Sequence, residues 1–406
     1  MRLPQRKWWI CGLLMLATMI NYMDRVTLAN AAGRITREFH LSEQQYGNLE
    51  LGFGLAFAAG SLLFGFVAER ANLRWLYPLV LCGWSIAGGA SAWTHSFGGL
   101  MMCRIVLGFF EAGHWPCALK TTFALLQPGE RTLGNSVLQS GASLGAIITP
   151  QLMKWLMTDE LGSWRFTFQA IAWVGLGWIV LWLTCVRSDE LRPREAVRTG
   201  PALPVCAIIR QPKFWAILIL ITGVQIPWHI IRAWLPKFLQ TGRGYTEAQA
   251  LDFKSLYYIA TDTGCLLAGF VALWLVKRFA MSAHKSRRRV YQVAAVLTAT
   301  SLLIPWLGRG WALLGLLLII GAASLALFPC FYSFTQELSG DHVGRLTGLF
   351  SAWGWVMVAP VQSLFGWLAD RTHSYDLGMA CAGLAPLLGV LSLALWWKEE
   401  PERAVA

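Results

Sequence analysis

Residues 8–32 read WWICGLLMLATMINYMDRVTLANAA. A bilayer takes about 18–25 predominantly apolar residues to cross, so the stretch is long enough to span one. It nevertheless holds an adjacent acid and base, Asp24 and Arg25. Ionisable groups at membrane depth are expensive unless they meet a partner or water, and they mark function by default. A second apolar stretch, 97–119, carries Arg104 and Glu111. Two arginines and two carboxylates in otherwise oily segments suit a site for a carboxylate-bearing solute, with proton-carrying acids beside it. Arg2, Arg6 and Lys7 precede the first run as they would in a secretory signal. The stretch continues through Asp24-Arg25 to about Ala32, with no A-x-A-like cleavage site directly after a short apolar core, so it is expected to remain as the first membrane helix.

Composition agrees. Of 406 residues, 56% are hydrophobic and 14% charged, against about 25% charge in soluble domains. Further apolar segments fall at 45–68, 74–94, 97–119, 132–156, 165–186, 213–239, 250–277, 288–308, 311–336, 343–369 and 376–397. The expectation is an all-α membrane protein of twelve transmembrane helices. The net charge of +12 is not a nucleic-acid signature, because its distribution follows the loops. With a cytoplasmic N-terminus, 22 of the 34 Lys and Arg fall on the cytoplasmic side and eight, including Arg34, Lys154 and Lys237, on the other. The positive-inside rule then puts both termini in the cytoplasm. The nine cysteines are scattered without CxxC or His spacing, which indicates neither a disulfide frame nor a metal site. No cofactor is implied.

The longest polar stretch, Arg187–Arg210, lies mid-chain. It predicts an N-terminal six-helix half over 1–187, a cytoplasmic linker over 188–212 and a C-terminal six-helix half over 213–406. Halves invite a search for repeats. Ser61–Ala68 (SLLFGFVA) matches Cys265–Ala272 (CLLAGFVA) at six of eight positions, 204 residues apart. That offset carries the second helix onto the eighth. Glycines at 52, 54 and 60, at 108 and 113, and at 141 and 145 suit close helix packing. Pro116, Pro150, Pro227, Pro236, Pro329 and Pro360 are expected to interrupt later helices, either at a cavity or as plain kinks.

On an ideal helix Arg104 and Glu111 lie about 20° apart, sharing a face with Gly108. Asp24 and Arg25 differ by about 100°. One solution aims Arg25 at a central cavity and turns Asp24 toward the Arg104/Glu111 face. The alternative is that Arg104–Glu111 and Asp24–Arg104 are salt bridges that only lock helices. Secondary candidates are Gln139 and Ser140 for substrate hydroxyls or packing, Gln225, Trp228 and Arg232 near Pro227, and Trp353, Trp355 and Gln362 on the eleventh helix for stacking on or bonding to a sugar.

Tyr22-Met-Asp-Arg25, followed by Arg104-Ile-Val-Leu-Gly108-Phe-Phe-Glu111-Ala-Gly-His-Trp-Pro116, resembles the anion:cation symporter branch of the major facilitator superfamily. Gln127–Arg131 and Gly141–Pro150 are similar to the same branch. Glu111, Pro116 and Lys120 fit an E-A-x-x-x-P-x-x-x-K pattern of bacterial hexuronate and aldonate transporters. The resemblance implies proton-coupled symport of a sugar acid by alternating access; a monomer in a bacterial inner membrane is the expected setting. It implies that Arg25 and Tyr22 meet the substrate, that Asp24, Glu111 and Arg104 handle the proton, and that Glu69 and Arg70 form a gate. The chain departs from the pattern in two places. The loop motif G-x-x-x-D-R-x-G-R stands here as Gly65-Phe-Val-Ala-Glu69-Arg70-Ala-Asn-Leu-Arg74, and Phe57 occupies a place where relatives often carry a sugar-contacting tyrosine.

Two other functions share the architecture: a drug or metabolite antiporter and a receptor that does not transport. A drug antiporter's fifth helix resembles G-x-x-x-G-P-x-x-G-G, which Gly145-Ala-Ile-Ile-Thr-Pro150 does not follow, and cavity arginines disfavour cationic drugs. No HExxH or histidine cluster suggests an enzyme.

Overall fold

A computed structural model describes residues 3–125, 131–187, 191, 209–338 and 343–397, which are overwhelmingly helical. The helices are α1 (Leu3–Asn30), α2 (Ala32–Glu38), α3 (Glu43–Arg70), α4 (Leu73–Ala90), α5 (Phe97–Glu111), α6 (His114–Leu125), α7 (Arg131–Leu156) and α8 (Trp164–Cys185). They continue as α9 (Pro212–Lys237), α10 (Glu247–Phe279), α11 (Ala283–Ala299), α12 (Trp311–Leu338), α13 (Val343–Thr372), α14 (Asp376–Ala382) and α15 (Ala385–Trp396). Among the described residues, seven helical stretches are long and apolar enough to cross a membrane. Most of the predicted linker, 188–212, lies outside the described residues.

Local chemistry sets the boundaries. Ser42 accepts from the Gln45 backbone while the Gln45 side chain accepts from Ser42, a reciprocal cap that opens α3. Asn72 and Ser96 accept from backbone N–H groups at the starts of α4 and α5. The predicted 97–119 helix is broken after Glu111, and Pro116 sits in the first turn of α6, where its missing N–H is tolerated. Pro386 likewise opens α15, so the predicted 376–397 segment is also divided. Pro150, Pro329 and Pro360 run inside continuous helices instead of interrupting them. Neighbouring groups in a membrane bundle can take up the carbonyls that a proline frees.

The chain forms two compact units, one of Met1–Arg198, His229–Ile259 and Ser351–Gly378, the other of Thr199–Trp228, Ala260–Phe350 and Met379–Ala406. In the first, α1 packs on α7 where Gly141 and Gly145 press against the Met15 and Met19 carbonyls. There α3 packs on α5, with Gly60 against the Phe109 carbonyl and Gly108 against the Phe53 carbonyl. Trp178 and Trp182 stack at 5.0 Å, and the Trp178 indole donates to the Leu13 carbonyl at 2.7 Å. In the second unit, Gly264 on α10 meets the Ala322 carbonyl of α12. Tyr291 donates to the Pro386 carbonyl at 3.1 Å, and Ser392 to that of Ala216 at 3.1 Å. Leu62, Phe66, Leu79, Trp173, Leu266 and Phe270 turn outward, an apolar surface suited to lipid rather than water.

A Cβ at Gly60 meets backbone, whereas one at Gly65 on the same helix meets nothing within 4 Å. Gly60→Ala is therefore expected to destabilise the detergent-purified protein by about 1–3 kcal/mol. Gly65→Ala should leave thermal unfolding unchanged or slightly higher, because alanine favours the helix by roughly 0.5–1 kcal/mol.

Candidate functional site

The first unit gathers the charges. Arg104, Gly108 and Glu111 share the buried face of α5, and Gly108 brings that face onto the α3 backbone at Phe53. Glu50, one turn before Phe53 on α3, is thereby brought opposite Arg104. Arg104 Nη2 lies 3.4 Å from Glu50 Oε1, and Arg232 Nη2 of α9 lies 2.5 Å from Glu50 Oε2. Glu50 thus bridges two guanidiniums, all three groups being at most 2% exposed. Arg232 also donates through Nη1 to the Arg25 carbonyl at 3.0 Å, and Lys254 of α10 donates to the Arg232 carbonyl at 2.6 Å.

Arg25 Nε donates to Glu111 Oε2 at 2.7 Å. The first and fourth predicted segments therefore meet, but Arg25, not Asp24 or Arg104, is the direct partner of Glu111. Aromatic rings surround the Arg25 guanidinium: Phe57 at 4.7 Å, Tyr22 at 5.4 Å, Phe53 at 5.9 Å and Trp355 at 6.0 Å. Such faces attract a cation electrostatically without neutralising it. The His229 ring lies 4.2 Å from that of Trp355, and its Nδ1 has no hydrogen-bond partner.

Asp24 is 1% exposed, and neither carboxylate oxygen has a hydrogen-bond partner. Its Oδ1 lies 2.9 Å from where a Cβ on Gly88 would stand, so the glycine makes room for it. Glu111 and Arg104 act on it electrostatically. Asn21, one turn earlier on α1, is fully buried with both amide atoms unpartnered. An isolated carboxylate out of water is costly, and either a proton or a cation removes that cost. His114 is different: its Nε2 lies 3.1 Å from Thr18 Oγ1 and its Nδ1 2.9 Å from the Tyr77 hydroxyl. Both nitrogens are used in joining α1, α4 and α6.

Comparison with known proteins sorts this arrangement. The Major Facilitator Superfamily model matches residues 14–360. The chain belongs to that superfamily. It is 25% identical to the hexuronate transporter of Escherichia coli K12 over 98% of this chain and 96% of that one. It is 27% identical to the probable L-galactonate transporter of the same strain over 94% of this chain and 87% of that one. The inward-open xylose transporter XylE of E. coli shares the fold, with TM-score 0.78 at 14% identity, covering 98% of each chain. The protein is thus a multi-pass transporter of this superfamily, related to sugar-acid transporters, and not an enzyme.

Within this facilitator the other expected residues are distributed unevenly. Tyr22 and Arg232 join the charge cluster. Gln362 is buried, but its amide is spent within the unit, accepting from Trp234 Nε1 at 2.7 Å and donating to the His229 carbonyl at 3.2 Å. Trp353 is 37% exposed. Ser140 is exposed and donates to its own helix at Val137. Gln225 and Trp228 belong to the second unit, where Trp228 sits 6.1 Å from Phe328. Arg70 is exposed over the Phe66 ring, and Lys120 donates to the Ala68 carbonyl near the end of α3. The side chains of Glu69 and Gln139 lie outside the described residues.

Glu50, Lys254 and His229 are missing from the sequence reading. The rule that flags Asp24 applies equally to Glu50 and Lys254. Both stand about a turn inside their predicted segments, where a charge ordinarily snorkels to the interface. Only the packing of α3 against α5 and α9 shows Glu50 turned inward.

Removing the shared carboxylate strands two guanidiniums. Glu50→Gln should lower stability by about 3–5 kcal/mol. Adding Arg232→Gln should recover part of that loss in a double-mutant cycle of thermal unfolding. Independent, additive effects would show that the two side chains do not act as a pair.

Proposed function

We propose that this protein is a proton-coupled symporter of a small organic anion, a hexuronate or aldonate, working by alternating access. One observation carries the reading. Within the first unit, Arg25 Nη2, Arg104 Nε and Nη1, and Arg232 Nε are buried donors without acceptors. Against them stand three unpartnered carboxylate oxygens, both of Asp24 and Oε1 of Glu111. Guanidinium donors left without acceptors in a dry environment await an anion with several oxygens. Tyr22, Phe53, Phe57 and Trp355 around Arg25 offer faces for the C–H surface of a sugar chain, and His229 Nδ1 offers a hydroxyl partner. The names of the full-length relatives agree with this substrate class.

Coupling follows from the Arg25–Glu111 pair. A substrate carboxylate that claims Arg25 takes away the partner of Glu111, and a buried carboxylate without a partner must gain a proton. Asp24 is the second proton carrier, and Arg104 balances both acids. Proton and anion then cross together because they share one charge balance.

The architecture suited to this cycle is twelve helices in two parallel six-helix halves joined by residues 188–212. The 204-residue repeat supports it: Gly60 and Gly264 occupy equivalent places, and each presses on a carbonyl of another helix. Both termini are cytoplasmic, in a bacterial inner membrane, and the transporter acts as a monomer. Several bonds join the segment ends in the first unit. Arg34 pairs with Glu247 at 2.7 Å, Lys237 with Glu43 at 2.5 Å and Lys154 with Asp252 at 2.7 Å. Asp370 accepts the Glu43 and Gln44 N–H groups that open α3, each at 2.8 Å. These cations are ones the loop charges assign to the outer side, so the network serves as an outer clasp that must open in the other half of the cycle. Glu69 and Arg70 gate the opposite end.

Glu111→Gln is expected to abolish pH-gradient-driven accumulation in proteoliposomes while sparing exchange of substrate across the membrane. Full accumulation by the variant removes Glu111 from coupling. Arg25→Ala should eliminate the heat of binding of glucuronate or galactonate in isothermal titration, and unchanged affinity refutes its role. A pH gradient that drives no uptake, with binding intact, selects a receptor. Uptake driven by an outward proton flux selects an antiporter.

A further inference from the structure

A cavity of about 430 Å³ lies in the second unit, lined by Arg210, Pro212, Trp215, Ile219 and Trp396. Pro212, Trp215 and Ile219 are spaced as one stripe of α9, which runs about 10 Å along the helix. Ser392 of α15 donates to the Ala216 carbonyl of α9 at 3.1 Å, so Trp396, one turn further on, comes to the same end of that helix. The apolar span of α9 begins at Pro212, and the span made by α14 and α15 ends at Trp396. The cavity therefore straddles the level where hydrocarbon gives way to headgroups, on the side that the loop charges assign to the cytoplasm.

Tryptophans at a membrane interface ordinarily turn the N–H toward water or headgroups. The Trp215 indole donates instead to the Ile209 carbonyl at 3.0 Å, which fixes the ring as a wall and holds the chain before α9 against it. Trp215 is nevertheless 49% exposed and Trp396 41%. Arg210 stands two residues before the span, exposed, and pairs with no carboxylate among the described residues. It is the sole charged group of the lining, whose other members are apolar or aromatic. Ordered water needs two to four polar partners, which such walls do not offer. A free anion would meet the guanidinium and leave the rings unused. An amphiphile with a phosphate at one end uses both: the guanidinium takes the phosphate oxygens as a fork, and the rings cover glycerol and the first methylenes. A headgroup amine would bring a second cation to a lining without an acid, so a phospholipid with net negative charge fits. Basic pockets between membrane helices on the cytoplasmic side bind such headgroups.

We propose that the α9–α15 cavity is a binding site for one anionic phospholipid, whose phosphate Arg210 holds and whose upper acyl chain lies along Pro212, Trp215 and Ile219 against Trp396. None of these residues belongs to the charge cluster of the first unit, so the assignment stands apart from the anion-symport reading.

Native mass spectrometry of the full chain in detergent, titrated with dioleoyl phosphatidylglycerol or dioleoyl phosphatidylethanolamine, tests it. The first phosphatidylglycerol is expected to bind about tenfold tighter than the first phosphatidylethanolamine, the usual scale for one charge-assisted contact. Arg210→Gln should bring the two affinities to within about twofold of each other. Arg210→Lys should keep part of the preference, because a point charge still attracts phosphate but loses the fork. A phosphatidylglycerol with a diazirine near the head of one acyl chain should label peptides containing Trp215 or Trp396, and excess unlabelled lipid should compete while inorganic phosphate does not. Equal affinity for the two lipids overturns the proposal, as does a preference that Arg210→Gln leaves unchanged. Labelling confined to other peptides, the result expected if another part of this chain fills the cavity, overturns it too. Displacement of the probe by inorganic phosphate assigns the site to a free anion and removes the lipid. The labelling of the unaltered protein decides the matter even where Arg210→Gln does not fold.

Discussion

Glu50 holds two guanidiniums, and much of the site's organisation follows from that contact. Taking a carboxylate and an arginine out of water costs several kcal/mol per ion, which is recovered only where the geometry brings opposite charges together. One acid between Arg104 and Arg232 recovers part of it for both and leaves their remaining donors unfilled. The same constraint draws Arg25 onto Glu111 and ties Arg232 to the Arg25 backbone. Helices distant in sequence are thereby held in register by charges that none of them tolerates alone.

This arrangement combines firmness with incompleteness. A site that satisfied all its donors internally would be a structural lock, the alternative that the sequence left open. Here the pairs are made, but Arg25 and Arg232 each retain one nitrogen without a hydrogen-bond partner, Arg104 retains two, and neither oxygen of Asp24 accepts a hydrogen bond. Unsatisfied groups of this kind are rare in a folded interior unless something else completes them. Rings at 4.7–6.0 Å from Arg25 confine its guanidinium without neutralising it, so the charge stays available. Phe57, at 4.7 Å from the Arg25 guanidinium, contributes an aromatic face and no hydrogen bond.

Much of the helical plan was legible in residue order, since apolar length and polar punctuation are local properties. The breaks after Glu111 and Ala382 were harder to place. Pro116 and Pro386 divide their segments, whereas Pro150, Pro329 and Pro360 do not, and the difference lies in position within the helix and not in the residue itself. The face shared by Arg104, Gly108 and Glu111 was also legible, because helical period alone sets it. Which charge meets which was not. The neighbours Asp24 and Arg25 point about 100° apart, and only the placement of α5 beside α1 assigns Glu111 to the arginine. Gln362 reads as a sugar contact in sequence, yet its amide is consumed by Trp234 and His229, a fact that depends on α9 and α13 lying together.

The amino-acid order by itself determined that this is a helical membrane protein and that its first and fourth apolar segments carry charge, conclusions that rest on hydropathy and spacing, which need no partner; the facilitator family was legible through the resemblance of motifs such as Tyr22–Arg25 and Arg104–Pro116. Tertiary structure decided the pairing of Arg25 with Glu111, the bridging of Arg104 and Arg232 by Glu50, and the burial of Asp24 without a hydrogen-bond partner. The physical reason is that the fate of a buried charge depends on what stands within a few ångströms of it, and in this chain those neighbours come from α1, α3, α5, α9 and α10.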